Sequence, residues 1–158
     1  MSKFSEMQQS VETMVKRSDD LDHRAVQLAE KFLADARQFF EATGQQIAPC
    51  ISKDDPDHPA GAVDEVIKAL RYSSGDRLYH FHVRFVFQVG KRHLVRVFEI
   101  AFDPDHQGQM YHIDGEVRTD AQNAAWHACE YMFDQIQEEN KIGHARDDAT
   151  KGRFFVKR

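Results

Sequence analysis

Apolar and polar side chains alternate along residues 77–118, and this period of two predicts strands that are buried on one face. Gly90 and Lys91 have the composition of a two-residue hairpin turn. Three strands are therefore expected, at 77–89, 92–102 and 109–118. The apolar positions of the first strand are mostly aromatic, so the pattern predicts an antiparallel three-stranded meander that helices must cover on one face.

Apolar residues recur with helical spacing before and after the meander in the sequence. Helices are expected at 5–17, 21–43, 62–72 and 120–140. Ser18, Asp19 and Asp20 favour a cap between the first two helices, which then form an N-terminal helical hairpin or continue one another toward a partner chain. Thr119 and Gln122 have the spacing of a capping box that opens the last helix. One core is expected to contain Phe32, Val83, Phe85, Phe98, Ile113 and Met132.

The 158 residues are predicted to form a single α+β domain, because the helices and the sheet each have an apolar face that needs cover. The predicted parts are a helical segment at 1–44, an exposed connector at 45–61, a helix–meander–helix unit at 62–140 and a basic tail at 141–158. Prolines and clustered aspartates predict the connector. Phe154, Phe155 and Val156 in the tail could add a fourth strand at an edge of the sheet or dock in a groove.

The charge distribution narrows the choice of partners. The tail has six basic and two acidic residues, so it carries +4 and the rest of the chain carries −9 of the net −5. An acidic body disfavours nucleic acid as a partner. No apolar run is long enough to span a membrane, no signal peptide is evident, and two cysteines are too few for a disulfide framework. We therefore expect a cytoplasmic protein without membrane contact.

The polar face of the meander carries the most suggestive chemistry. If the hairpin turn sets the register, Val83 faces Phe98, and the next loop brings Ile113 opposite Phe98. The residues then gathered on the other face are His82, Glu99 and His112 in one row, His80 beside them, and Arg84 and Asp114 at the flanks.

Two imidazoles and a carboxylate are ligand types of zinc and non-haem iron sites, so His82, Glu99 and His112 are candidate metal ligands. A carboxylate between two histidines could also hold protons near neutral pH. The alternative, which we favour, is a solvated polar face or a face that is paired with another subunit.

Arg96 is a charged residue on the apolar face of the second strand, and the predicted register places it opposite Phe85 and Gly115. A charge there must be paired or must reach water. One interpretation is an anion-binding notch beside Gly115. The other, which we favour, is an arginine whose head reaches solvent at the edge of the sheet.

Phe4, Met7, Val11 and Met14 have heptad spacing, and they form a seam that is too narrow for an ordinary core helix but fits a contact between two helices. We therefore expect a homo-oligomer, most simply a dimer. The chain contains no glycine-rich phosphate loop, no Cys-x-x-Cys pair and no His-Glu-x-x-His motif.

The expected function is a non-catalytic protein-interaction or adaptor domain that self-associates and needs no cofactor. The alternative is a zinc-, iron- or proton-dependent site at His80, His82, Glu99 and His112 that serves a small-molecule enzyme or sensor.

Overall fold

The computed structural model describes residues 2–51, 66–105, 110–120, 123–141 and 154–157, with the backbone alone described at 117–120, 140–141 and 154–157. Within these residues, two α-helices and an antiparallel sheet of seven strands confirm the predicted α+β class. The strand order is β1-β3-β4-β5-β6, while β2 pairs with β3 and β7 pairs with β4.

The first helix, α1 (Lys3–Phe40), is continuous, so the predicted helical hairpin is wrong and its two helices continue one another. Ser18, Asp19 and Asp20 lie inside α1 because each costs only a few tenths of a kcal/mol in a helix interior, and the helix contains no glycine or proline. Ser2 caps its start by accepting a hydrogen bond from the Ser5 backbone N–H at 3.2 Å.

The β3–β4 hairpin, β3 (Leu78–Val89) and β4 (Arg92–Phe102), has the predicted register. Gly90 has a φ of 61°, which the turn requires and which glycine adopts without strain. Val83 faces Phe98, and the apolar pairs follow in phase toward both strand ends.

The predicted strand at 109–118 is wrong, because the chain reverses within it. β5 (Met110–Ile113) and β6 (Val117–Asp120) form a hairpin around Asp114 and Gly115, whose φ values are 50° and 73°. The predicted pairing of the second and third strands is also shifted by two residues, since Ile113 faces Ile100 rather than Phe98. A shift of two keeps every side chain on its predicted face.

Part of the predicted exposed connector is a buried strand. β1 (Ile47–Cys50) pairs with β3, and all four of its residues are buried. Pro49 is tolerated because β1 ends the strand order, where a missing N–H breaks no ladder. The rest of the connector, 52–61, lies outside the described residues.

The helix predicted at 62–72 is also wrong where the structure describes it. A 3₁₀ helix, Val66–Lys68, is followed by β2 (Arg71–Ser73), which pairs with the start of β3. Residues 62–65 lie outside the described part of the chain.

The second helix, α2 (Ala124–Lys141), begins later than predicted, because Thr119 belongs to β6 and does not cap a helix. The tail contributes β7 (Phe154–Lys157), which pairs with the first half of β4 and confirms the predicted additional strand.

Helices α1 and α2 cover one face of the sheet, and the resulting core contains all six residues predicted for it. The opposite face holds a second, smaller cluster of Cys50, Val95 and Val97.

Candidate functional site

A polar cluster lies on the sheet face away from the helices, around His80. The His80 Nε2 atom is 2.8 Å from Asp76 Oδ2, and its Nδ1 atom is 3.3 Å from Glu99 Oε1. Glu99 also approaches His82, with 3.5 Å between Oε2 and Nε2. His82 and Glu99 are direct partners across β3 and β4, as predicted, whereas the sequence analysis did not select Asp76.

His112 does not join the row of His82 and Glu99. The two-residue shift of β5 places it opposite Ala101, which in turn faces His80. Among the described residues, no group of three His, Cys, Asp or Glu side chains is placed to hold a metal ion. The predicted ligand set of His82, Glu99 and His112 is therefore not brought together.

The centre of this sheet face is buried, so the interpretation as a fully solvated face is wrong there. His82 is only 5% exposed, and Cys50, Val95 and Val97 form a buried cluster on the same face. Asp76 and Glu99 remain partly exposed at the margin. Solvent can therefore reach the carboxylates of the cluster more easily than the His82 ring.

Cys50 lies opposite His82 across β1 and β3, which creates a Cys50–His82–Glu99 row that the sequence analysis missed. A thiol beside an imidazole and a carboxylate has the composition of a nucleophilic triad. Burial, however, raises the pKa of the Cys50 thiol to about 11, against a smaller opposing effect of Arg84. A buried thiol that stays protonated at neutral pH is a poor nucleophile.

Arg96 lies on the helix-covered face and is 7% exposed, so it does not reach solvent as we favoured. Its Nη2 atom is 3.3 Å from Glu139 Oε1 of α2 and 3.5 Å from Asp114 Oδ2, and its guanidinium lies 4.2 Å from the centre of the Phe98 ring. Two carboxylates thus compete with any external anion.

The other residues predicted near Arg96 and the histidines take different places. Gly115 lies in the β5–β6 turn. Asp114 does not flank the histidines, because its carboxylate accepts a hydrogen bond from the Glu99 backbone N–H at 2.8 Å and pairs with Arg96. Arg84 lies on β3 opposite Ala48 and Val97, on the face of Cys50.

The seam of α1 is exposed along its whole length. The exposed fractions of its side chains are 68% for Phe4, 58% for Met7, 51% for Val11 and 63% for Met14. Every residue from 6 to 20 is exposed, whereas the buried residues of α1 begin at Ala25. Residues 3–20 therefore form about 27 Å of helix without a buried side chain.

The exposed seam continues the buried stripe of the same helix. Ala25 and Phe32 follow Phe4 and Val11 at intervals of seven residues, and both are fully buried against the sheet and α2. The seam therefore faces the same side of α1 as the protein's own core.

A groove lies where α1 leaves the core. Two adjoining cavities of about 520 and 570 Å³ share Asp22, Tyr72 and Tyr79 in their lining, and the larger one also reaches Met14 and Leu21 of α1. The Tyr79 hydroxyl donates a hydrogen bond to Asp22.

The outer side of this groove contains charged residues of α1 and of the segment after β4. Asp105 is 3.0 Å from Arg24 and 3.9 Å from Arg17, and Asp103 lies nearby in the lining. The groove thus combines an apolar floor with a margin of both signs, since Arg17 and Arg77 line it together with the aspartates.

Comparisons with protein-family models, with curated proteins and with solved structures find no match to this chain. In the part of the chain that the structure describes, neither helix has the length and apolar character required to cross a membrane. The geometry of the molecule itself is therefore the basis for a functional proposal.

Proposed function

We propose that this protein is a non-catalytic interaction domain that self-associates through residues 3–20 of α1. The observation that carries this proposal is the exposed seam of Phe4, Met7, Val11 and Met14 on a stretch of helix without a buried side chain. The cytoplasmic location expected from the sequence is part of the same proposal.

The low stability of an unpacked helix supports the proposal that a second helix covers this seam. An isolated helical segment of this length is only marginally stable in water, because packing supplies most helix stability in proteins. A seam with heptad spacing is suited to bury its apolar side chains against one other helix.

The polar side of the segment argues against a membrane surface as the occupant. It carries Lys3, Lys16 and Arg17 together with Glu6, Glu12 and two aspartates, so no basic face is formed. Helices that bind anionic membrane surfaces usually carry lysine and arginine on the polar face.

The alternative of a metal- or proton-dependent site has weaker support. The described histidines and carboxylates do not form a three-ligand group, and the thiol nearest to them is protonated at neutral pH. Metal analysis of the purified protein tests this alternative directly, since stoichiometric zinc or iron would favour it.

Light scattering across a range of protein concentrations tests self-association. We expect about twice the chain mass at high concentration for the wild-type protein. Val11→Glu should give the mass of one chain, because it places a charge in the seam. Gln9→Glu adds the same charge on the opposite side of the helix and should leave the mass unchanged. A wild-type protein that remains a monomer at every concentration would exclude the proposal.

A further inference from the structure

Two copies of α1 can pair in parallel or antiparallel, and the position of the core distinguishes the two arrangements. The exposed seam and the buried stripe lie on one side of α1, so the protein's own sheet occupies that side from Ala25 onward. In a parallel pair, the residues after Ala25 of the second helix would enter the volume of this sheet. In an antiparallel pair, the N-terminal end of the second helix approaches the sheet and stops there.

We propose that two copies pair antiparallel along residues 4–21, and that Phe4 of each copy enters the groove beside Leu21 of the other; this inference rests on the self-association proposed above. Antiparallel helices that alternate heptad positions then place Phe4 opposite Leu21, Met7 opposite Ser18, and Val11 opposite Met14. This is the longest overlap that ends before the buried part of α1.

The groove has the position and the lining that this arrangement requires. Its larger cavity is lined by Met14 of the seam, by Leu21 of the same helix and by the rings of Tyr72 and Tyr79. Tyr72 is 55% exposed and lies 5.1 Å from Tyr79 between ring centres, so it offers an aromatic surface to an incoming phenylalanine.

Charged groups of both signs meet where the N-terminal end of the second helix would lie. The N-terminal end of α1 carries Lys3, Glu6 and the positive end of the helix dipole. The groove that would receive it carries the carboxylates of Asp22, Asp103 and Asp105 and the guanidinium groups of Arg17 and Arg77. Arg17 and Arg24 lie close to this end, but their nearest carboxylate is Asp105, which partly neutralises them within their own chain.

Distances between spin labels at Glu6, Thr13 and Asp20 distinguish the arrangements, because these exposed residues are spaced by seven on one side of α1. Each is replaced by cysteine in a separate variant and labelled. The native thiols, Cys50 and Cys129, are buried and have pKa values raised to about 11 and about 12, so they react slowly at neutral pH.

An antiparallel pair gives its shortest distance at Thr13, because the two labels lie at the same level along the pair, close to the axis of symmetry. The labels at Glu6 and at Asp20 are then offset along the helix by about 20 Å from their copies. Equal distances at all three positions would mean a parallel pair, which overturns this inference and leaves self-association intact. A monomer without dipolar coupling would overturn both proposals.

A double-mutant cycle tests the groove itself. Phe4→Ala and Tyr72→Ala should each weaken the dimer by about tenfold, and their combination should weaken it by less than the product of the two effects. Phe133 is an exposed phenylalanine of α2 outside the groove, so Phe4→Ala and Phe133→Ala should combine multiplicatively. Circular dichroism of each monomer controls for misfolding. Multiplicative effects of Phe4→Ala and Tyr72→Ala would exclude the contact.

Discussion

The buried charge of Arg96 illustrates how single residues connect the layers of this fold. Its guanidinium joins the β5–β6 turn through Asp114 to α2 through Glu139, and the Asp114 carboxylate also accepts a hydrogen bond from the backbone of β4. Hydrophobic alternation along β4 identifies Arg96 as an exception, but the sequence contains no signal for its partners, which lie on two other elements. Such a network fixes the position of α2 over the sheet.

The network gives a prediction about Glu139. Glu139→Gln should lower the free energy of unfolding by about 1.5–3 kcal/mol, because it removes a charged hydrogen-bond partner from a buried arginine. Glu138→Gln is the matched control, since Glu138 is exposed and should change stability by less than about 0.5 kcal/mol. Urea unfolding measures the free energy of unfolding of both variants. Equal losses in the two variants would contradict a stabilising role of the network.

Cys129 gives a prediction about pH. Burial, reinforced by Asp35 and Glu130, raises the pKa of the Cys129 thiol from 9.0 to about 12 in the folded state. The folded state therefore gains stability from the neutral thiol below about pH 9, and this gain is lost as the pH rises from 9 toward 12. Cys129→Ala should be less stable than the wild type at pH 7.5, because it leaves a cavity.

The difference in unfolding free energy between the wild type and Cys129→Ala should narrow between pH 9 and pH 11. Urea unfolding in the presence of a reductant measures this free-energy difference at each pH. A difference that stays constant over this range would show that the thiol does not contribute to the alkaline loss of stability.

At the scale of elements, the sequence predicts the register of two strands only where the turn between them is short enough to fix it. The β3–β4 register is predictable because a two-residue turn and a period of two allow little else. The β4–β5 register is not, because a longer loop permits a shift of two residues that leaves the apolar face apolar. This shift alone separates His112 from Glu99. The predicted metal site therefore depended on the β4–β5 register, which the sequence constrains least.

The other incorrect elements have equally specific causes. Ser18, Asp19 and Asp20 are residues of helix caps that a helix interior also tolerates, and the heptad stripe that crosses them predicts continuity. Pro49 indicates a loop, but an edge strand accepts it. Because Pro49 led to the prediction of a loop in place of β1, the position of Cys50 opposite His82 could not be predicted either.

Hydrogen exchange tests whether residues 4–20 of α1 form a stable helix in the monomer. Amides of residues 4–20 are bonded within a helix that lacks packing, so they should exchange rapidly in the monomer. Their protection should increase with protein concentration in the wild type and stay low in Val11→Glu, while amides of β3 and β4 remain protected in both. Equal protection of residues 4–20 and the sheet in Val11→Glu would show that the segment is stable without an occupant.

At the scale of the whole molecule, α1 has two roles that are separable along its length. Its C-terminal half supplies Phe32 and several small side chains to the core, and its N-terminal half makes few contacts with the rest of the described chain. The ion pair of Arg17 with Asp105 joins two exposed side chains at 3.9 Å, and such pairs contribute at most about 1 kcal/mol. The fold should therefore not require residues 2–17.

A chain that begins at Ser18 tests this separation. Ser18 is then placed to cap the shortened helix, and Asp19 and Asp20 fall in its first turn, where acidic side chains favour the helix dipole. We expect its urea midpoint to match that of the monomeric Val11→Glu variant, and light scattering to give the mass of one chain at all concentrations. A shortened chain that unfolds would place residues 2–17 in the folding unit, and one that still dimerises would place the interface on the sheet or on α2.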